Sequence, residues 1–92
     1  MSKAVVRWLD EAWERYQQLT PEQMTQARRL IVALQLSPRS GRFWHQDADG
    51  YSLWFVSAYD THLVYRVLFY QRNATIYVLD VLVFPYDADD DR

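Results

Sequence analysis

His62 and Arg66 are the residues best suited to chemistry, four apart in the run HLVYRVLFYQ (62–71). Histidine titrates near neutrality, so His62 suits general acid or base work. Arg66 suits contact with a phosphate. Each also has a plain structural reading. His62 opens a strand beside a hairpin, and Arg66 pairs with an acid such as Asp80 on the neighbouring strand. A second cluster is Arg39, Arg42 and His45, interleaved with Phe43 and Trp44. Cations that alternate with aromatics can neutralise and stack on single-stranded RNA. Read as structure alone, the same stretch is a loop whose aromatics close the edge of a core.

Other chemistries fit poorly. His45, Asp47 and Asp49 suggest a metal site, and DADG (47–50) resembles part of a calcium loop. The twelfth position of that loop is Val56, where calcium needs a bidentate Glu. A turn explains Asp49-Gly50, and the expectation is no metal and no cofactor. The only glycines are Gly41 and Gly50, so no glycine-rich phosphate loop exists. Spacing suggests no Ser/His/Asp triad.

Composition narrows the class. The chain has 92 residues, half of them hydrophobic and 16% aromatic, which fits one folded domain and argues against disorder. Four Trp and seven Tyr exceed what so small a core needs. Some should lie outside, where they would favour a partner or a homodimer through exposed aromatics. There is no cysteine, which excludes disulfides and thiolate metal sites. The formal net charge is −2. Without the four Asp and one Arg of 87–92, nine Lys/Arg face eight Asp/Glu. The basic footprint usual for nucleic-acid binders is missing. The reading is one domain over 1–86 and an acidic, flexible tail over 87–92. Charges come early and often in MSKAVVRWLDEAW, and no apolar run reaches the roughly 18–20 residues of a membrane span. A cytoplasmic protein without a membrane partner is expected.

The elements that must position these residues follow from periodicity. Residues 4–8 are a short β-like run. Asp10 is placed to cap a first helix, whose stripe is Ala12, Trp13, Tyr16 and Leu19. Thr20-Pro21-Glu22-Gln23 is a capping box, followed by the apolar face Met24, Ala27, Leu30, Ile31 and Leu34. Ser37-Pro38 should stop that helix. Residues 37–50 read as a connecting loop. Three strands follow, at 51–58, 62–70 and 75–84, joined by loops 59–61 and 71–74. The class is α+β in the order β-α-α-β-β-β. An antiparallel meander carries a two-helix hairpin on one face, and the N-terminal strand joins an edge. In 62–70 both faces are largely apolar, so the outer face is not cleanly solvated.

With these elements in place, the chain resembles the RelE/ParE toxin superfamily, as a divergent member. The likeness rests on Leu36-Ser37-Pro38-Arg39 after the second helix, Tyr51 through Ser57, HLVYRV (62–67) and a final strand rich in Ile and Val. It implies a RelE/ParE-like fold and a cognate antitoxin as partner. RelE-like members are metal-independent, ribosome-dependent mRNA endonucleases, in which cations on the open sheet face stabilise the transition state. ParE-like members inhibit DNA gyrase through protein contacts. The family's paired lysines match Ser52 and Trp54, its strand-opening arginine matches His62, and later arginine and tyrosine positions match Phe84 and Tyr86. Three cationic positions are thus uncharged here. Each lost cation costs about 10²–10³-fold in rate, so efficient RelE-type cleavage is not expected.

Two functional readings stand at this point. One is a toxin-like component of a toxin–antitoxin system that meets ribosome and mRNA. In it His62 is the acid or base, Arg66 and Arg42 hold phosphate with Arg39 and His45 nearby, and Tyr86 or Trp54 stacks a base. The other is a non-catalytic protein-binding module on the same scaffold, either gyrase-inhibitor-like or oligomerising, which uses Trp44, Trp54 and the outer sheet face.

Overall fold

A computed structural model describes residues 3–85. Tyr86 and the acidic tail at 87–92 lie outside the described residues. The order is β1 (Val5–Trp8), α1 (Asp10–Gln17), α2 (Pro21–Leu36), β2 (Arg42–Gln46), β3 (Ser52–Ala58), β4 (Thr61–Tyr70) and β5 (Asn73–Val83). The five strands form one sheet in the order β1-β5-β4-β3-β2. β1 pairs with β5 in parallel, and every other pair is antiparallel. The expected α+β architecture is the one observed, with one strand added. Among the described residues no helix is long and apolar enough to cross a membrane.

α2 starts as its sequence dictates. The Thr20 hydroxyl accepts from the Gln23 N–H at 3.2 Å, and the Gln23 side chain accepts from the Thr20 N–H at 3.0 Å. Gln23 Nε2 also donates to Asp60 at 3.1 Å, tying the helix start to the β3–β4 hairpin. α1 departs from expectation at its first residue. Leu9 is the N-cap and offers no side-chain bond, while Asp10 and Glu11 lie in the first turn, where acids suit the helix dipole.

β4 is the spine. Leu63 and Tyr65 are fully buried towards the helices, with Leu34, Ile76 and Val78. Alternation then puts His62, Val64 and Arg66 on the opposite, open face. The segment expected as a loop over 37–50 contains β2. All five of its residues are exposed, so no apolar alternation betrays it. What makes it a strand is its ladder to β3, interrupted by a bulge at Trp44.

Both hairpin loops are shorter than expected. Ala58 pairs with Thr61 and Tyr70 with Asn73, leaving the two-residue loops Tyr59-Asp60 and Gln71-Arg72. Tyr59 and Gln71 each take φ of 56°, the left-handed region that disfavours a side chain. Tyr59 is 76% exposed, so little packing offsets that strain. Tyr59→Gly is therefore expected to stabilise the fold by about 0.5–1 kcal/mol, a rise of a few degrees in Tm. An unchanged or lower Tm in thermal unfolding would show that the turn carries no such strain.

Candidate functional site

The open face is built on β4 and its two neighbours. His62 lies opposite Ser57 of β3 and Leu82 of β5, while Val64 lies opposite Phe55 and Arg66 opposite Tyr77. These pairs divide the face into two centres.

The first centre is His62, only 4% exposed. Its Nε2 lies 3.1 Å from the Phe84 carbonyl oxygen, which only accepts, so Nε2 carries the proton. In the neutral ring Nδ1 is then the acceptor, and the Ser57 hydroxyl donates to it at 2.6 Å. The Phe84 ring stacks on the imidazole at 3.9 Å between centroids, with the planes 13° apart. Beside the ring lies a hollow of about 200 Å³ lined by Trp44, Phe55, Val64, Leu82 and Phe84. Apart from His62 its lining is apolar.

The second centre is Arg66. Its guanidinium lies 4.5 Å from the Tyr51 ring centroid and 5.6 Å from that of Tyr77. Its Nε is buried without a hydrogen-bond partner. The expected pair with Asp80 does not form. A bulge in β5 puts Asp80 opposite Val64, and its carboxylate meets Arg15 of α1 at 3.2 Å. His62 and Arg66 are four residues apart on one strand, or about 13 Å. Moreover, Arg66 reaches towards Tyr51, which precedes β3 and lies beyond Trp54 and Tyr65 as seen from His62. The two residues do not converge on one phosphate.

The other expected site residues scatter. Trp54 is not on the open face. It lies opposite Tyr65 and packs in the helix-side core, edge-on to Phe43. Ser52 shares its parity, so the open-face residues of β3 are Leu53, Phe55 and Ser57, none of them charged. Arg39 lies over the Phe69 ring at 4.5 Å, near the far end of β4 from His62. Arg42 and His45 are exposed on β2, where His45 Nδ1 lies 2.8 Å from the Gln46 carbonyl and its ring meets Trp44. Asp47 is a turn residue. Its carboxylate accepts from the N–H groups of Asp49 and Tyr51 at 2.9 and 3.0 Å. Ser57 is the residue that sequence reasoning missed. A two-residue loop between Ala58 and Thr61 sets Ser57 opposite His62, whereas a three-residue loop does not.

β2 reaches the open face through one buried phenol. Tyr65 Oη accepts from the Gly41 N–H at 3.1 Å and donates to the Pro38 carbonyl at 3.3 Å. A Cβ at Gly41 would collide with that phenol and with the Phe55 carbonyl, so only glycine fits. Burial pushes the Tyr65 phenol above its ordinary value, while the Gly41 N–H pulls it back down in part.

No protein-family model and no curated protein sequence matches the chain. One solved structure is similar in fold, the YoeB/ParE toxin from Agrobacterium tumefaciens. The two align with a TM-score of 0.67 and 17% identity, over 87% of this chain and 98% of that one. The fold is thus that of a RelE/ParE-like toxin.

The tether gives a direct expectation. Tyr65→Phe should cost about 1–2 kcal/mol at pH 7, because Gly41 N–H and Pro38 C=O lose a buried partner. The raised phenol value means that the folded state holds the proton more tightly than the unfolded chain. This stabilisation is complete below about pH 10 and is lost as pH rises through the folded value. Urea titrations of both proteins at pH 7 and above pH 10 check this. The wild type should lose more stability than Tyr65→Phe over that interval, and parallel losses would contradict it.

Proposed function

We propose that this protein is the toxin-like member of a toxin–antitoxin pair, and that it acts by docking a protein on its open sheet face. RelE-type RNA cleavage is not its mode of action. The observation that carries this reading is the apolar hollow walled by Trp44, Phe55, Val64, Leu82 and Phe84. A nuclease would need cations there, because charge develops on a phosphate in the transition state. An apolar pocket rimmed by an exposed Trp is what a protein partner's anchor side chain fills. His62 and Arg66 are about 13 Å apart along β4, so the two do not share one phosphate. The likeness to a toxin supports the toxin role, and with it a cytoplasmic setting and a cognate antitoxin. The exposed strand β2, with Phe43 and Trp44, also suits self-association.

Arg66 supports a second reading. A guanidinium flanked by Tyr51 and Tyr77, with no carboxylate paired to it among the described residues, suits RNA held by phosphate contact and base stacking. Arg39, Arg42 and His45 would extend such a surface. This is binding without cutting.

Induced expression followed by growth measurement and mapping of ribosome-bound mRNA ends tests the proposal. The expected result is growth arrest without new mRNA ends, abolished by Trp44→Glu in a protein that keeps its circular dichroism. Trp44 is half exposed, so the fold should tolerate the change. Arrest with new mRNA ends, removed by His62→Gln, would overturn the docking mechanism. No arrest would overturn the toxin role.

A further inference from the structure

We infer that Ser57 is a nucleophile activated by His62, and that it takes an activated phosphoryl ester from the hollow beside Arg42. Three observations combine. The Ser57 Oγ to His62 Nδ1 contact is 2.6 Å, short for a neutral pair. The ring cannot turn away from it. The Phe84 carbonyl holds Nε2–H at 3.1 Å, and the Phe84 ring lies flat on the imidazole. At 4% exposure the imidazole is also screened from water that would compete for Nδ1. Nucleophile, base and orienting acceptor thus stand in sequence, with a backbone carbonyl where hydrolases place a carboxylate.

The partners differ in access, and the difference falls the right way. His62 is buried, whereas Ser57 is exposed. Ser57 lines a hollow of about 320 Å³ at the sheet edge together with Leu30, Ser40, Gly41, Arg42, Phe55 and Val56. The β2–β3 ladder stops at Arg42 and Phe55, so no strand covers the β3 edge from Val56 to Ala58 on that side. A substrate can therefore reach Ser57 from the edge. Arg42 has no acidic partner among the described residues. Its guanidinium favours a phosphoryl group over a neutral acyl group, since it can neutralise phosphate oxygens.

The step balances without a further reagent. The Ser57 Oγ lone pair forms the bond to phosphorus, and the Oγ proton passes to His62 Nδ1. The leaving group departs with the electron pair of its bond to phosphorus. The step uses the edge hollow rather than the docking hollow, and His62 borders the second while serving the first.

The test is covalent labelling of the purified protein with an alkyl fluorophosphonate, in which fluoride is the leaving group, followed by peptide mapping. Ser40 provides an internal control, being an exposed serine in the same hollow with no histidine bonded to it. A single adduct on Ser57 is expected, formed at least about 10²-fold faster than on Ser40, the usual effect of a positioned base. Ser57→Ala should remove it. His62→Gln, checked for folding by circular dichroism, should slow it to the Ser40 rate. No Ser57 adduct, equal rates at Ser57 and Ser40, or unchanged labelling in folded His62→Gln would each overturn the inference. If His62→Gln does not fold, the Ser57 to Ser40 ratio in the wild type decides.

Discussion

One hydrogen bond organises the open face, that between the Phe84 carbonyl and His62 Nε2. A carbonyl has no proton to give, so it dictates which imidazole nitrogen keeps one. That choice makes Nδ1 the acceptor and recruits Ser57 as its donor. It also presses the Phe84 ring onto the imidazole and closes one wall of the apolar hollow. The bond exists because the chain runs on beside the β3–β4 hairpin after β5 ends. The Phe84 N–H bonds the Asp60 carbonyl at 3.0 Å, one position past Val83 opposite Thr61. Asp60 is in turn held to the start of α2 by Gln23. Capping box, hairpin loop and imidazole form one connected set of bonds.

The other half of the face depends on Tyr65. Its phenol closes the loop from Pro38 to Gly41, and that loop delivers β2 to the sheet edge. Trp44 then reaches the hollow through the β2 bulge, and Arg42 borders the cleft beside Ser57. Asp80, opposite Val64, is held by Arg15 of α1, so the guanidinium of Arg66 is left to two tyrosine rings.

Much of the fold was legible in the sequence. The capping box at Thr20 and the stop at Ser37-Pro38 bound α2 correctly, because both signals are local chemistry. Period-2 alternation gave β4 its two faces, and His62 and Arg66 do lie on the open one. β2 was not legible, since five exposed residues show no apolar alternation and only the partner strand defines them. The loop lengths were missed because Tyr59 and Gln71 hold positive φ without the Gly or Asn that normally signals it. That error hid Ser57, because a one-residue slip changes every cross-strand partner. Trp54 and the Arg66–Asp80 pair failed for the same reason: register and bulges are set by tertiary pairing.

The measurement that bears most directly on this account is the nitrogen-15 NMR spectrum of the His62 ring, with its long-range couplings to the ring protons. The account requires a single neutral tautomer protonated on Nε2, with Nδ1 shifted by a strong hydrogen bond and released from it in Ser57→Ala. A ring protonated on Nδ1, or one averaging freely between tautomers, would contradict it. In that case Ser57 would have no base behind it, and the imidazole would be free to meet a ligand.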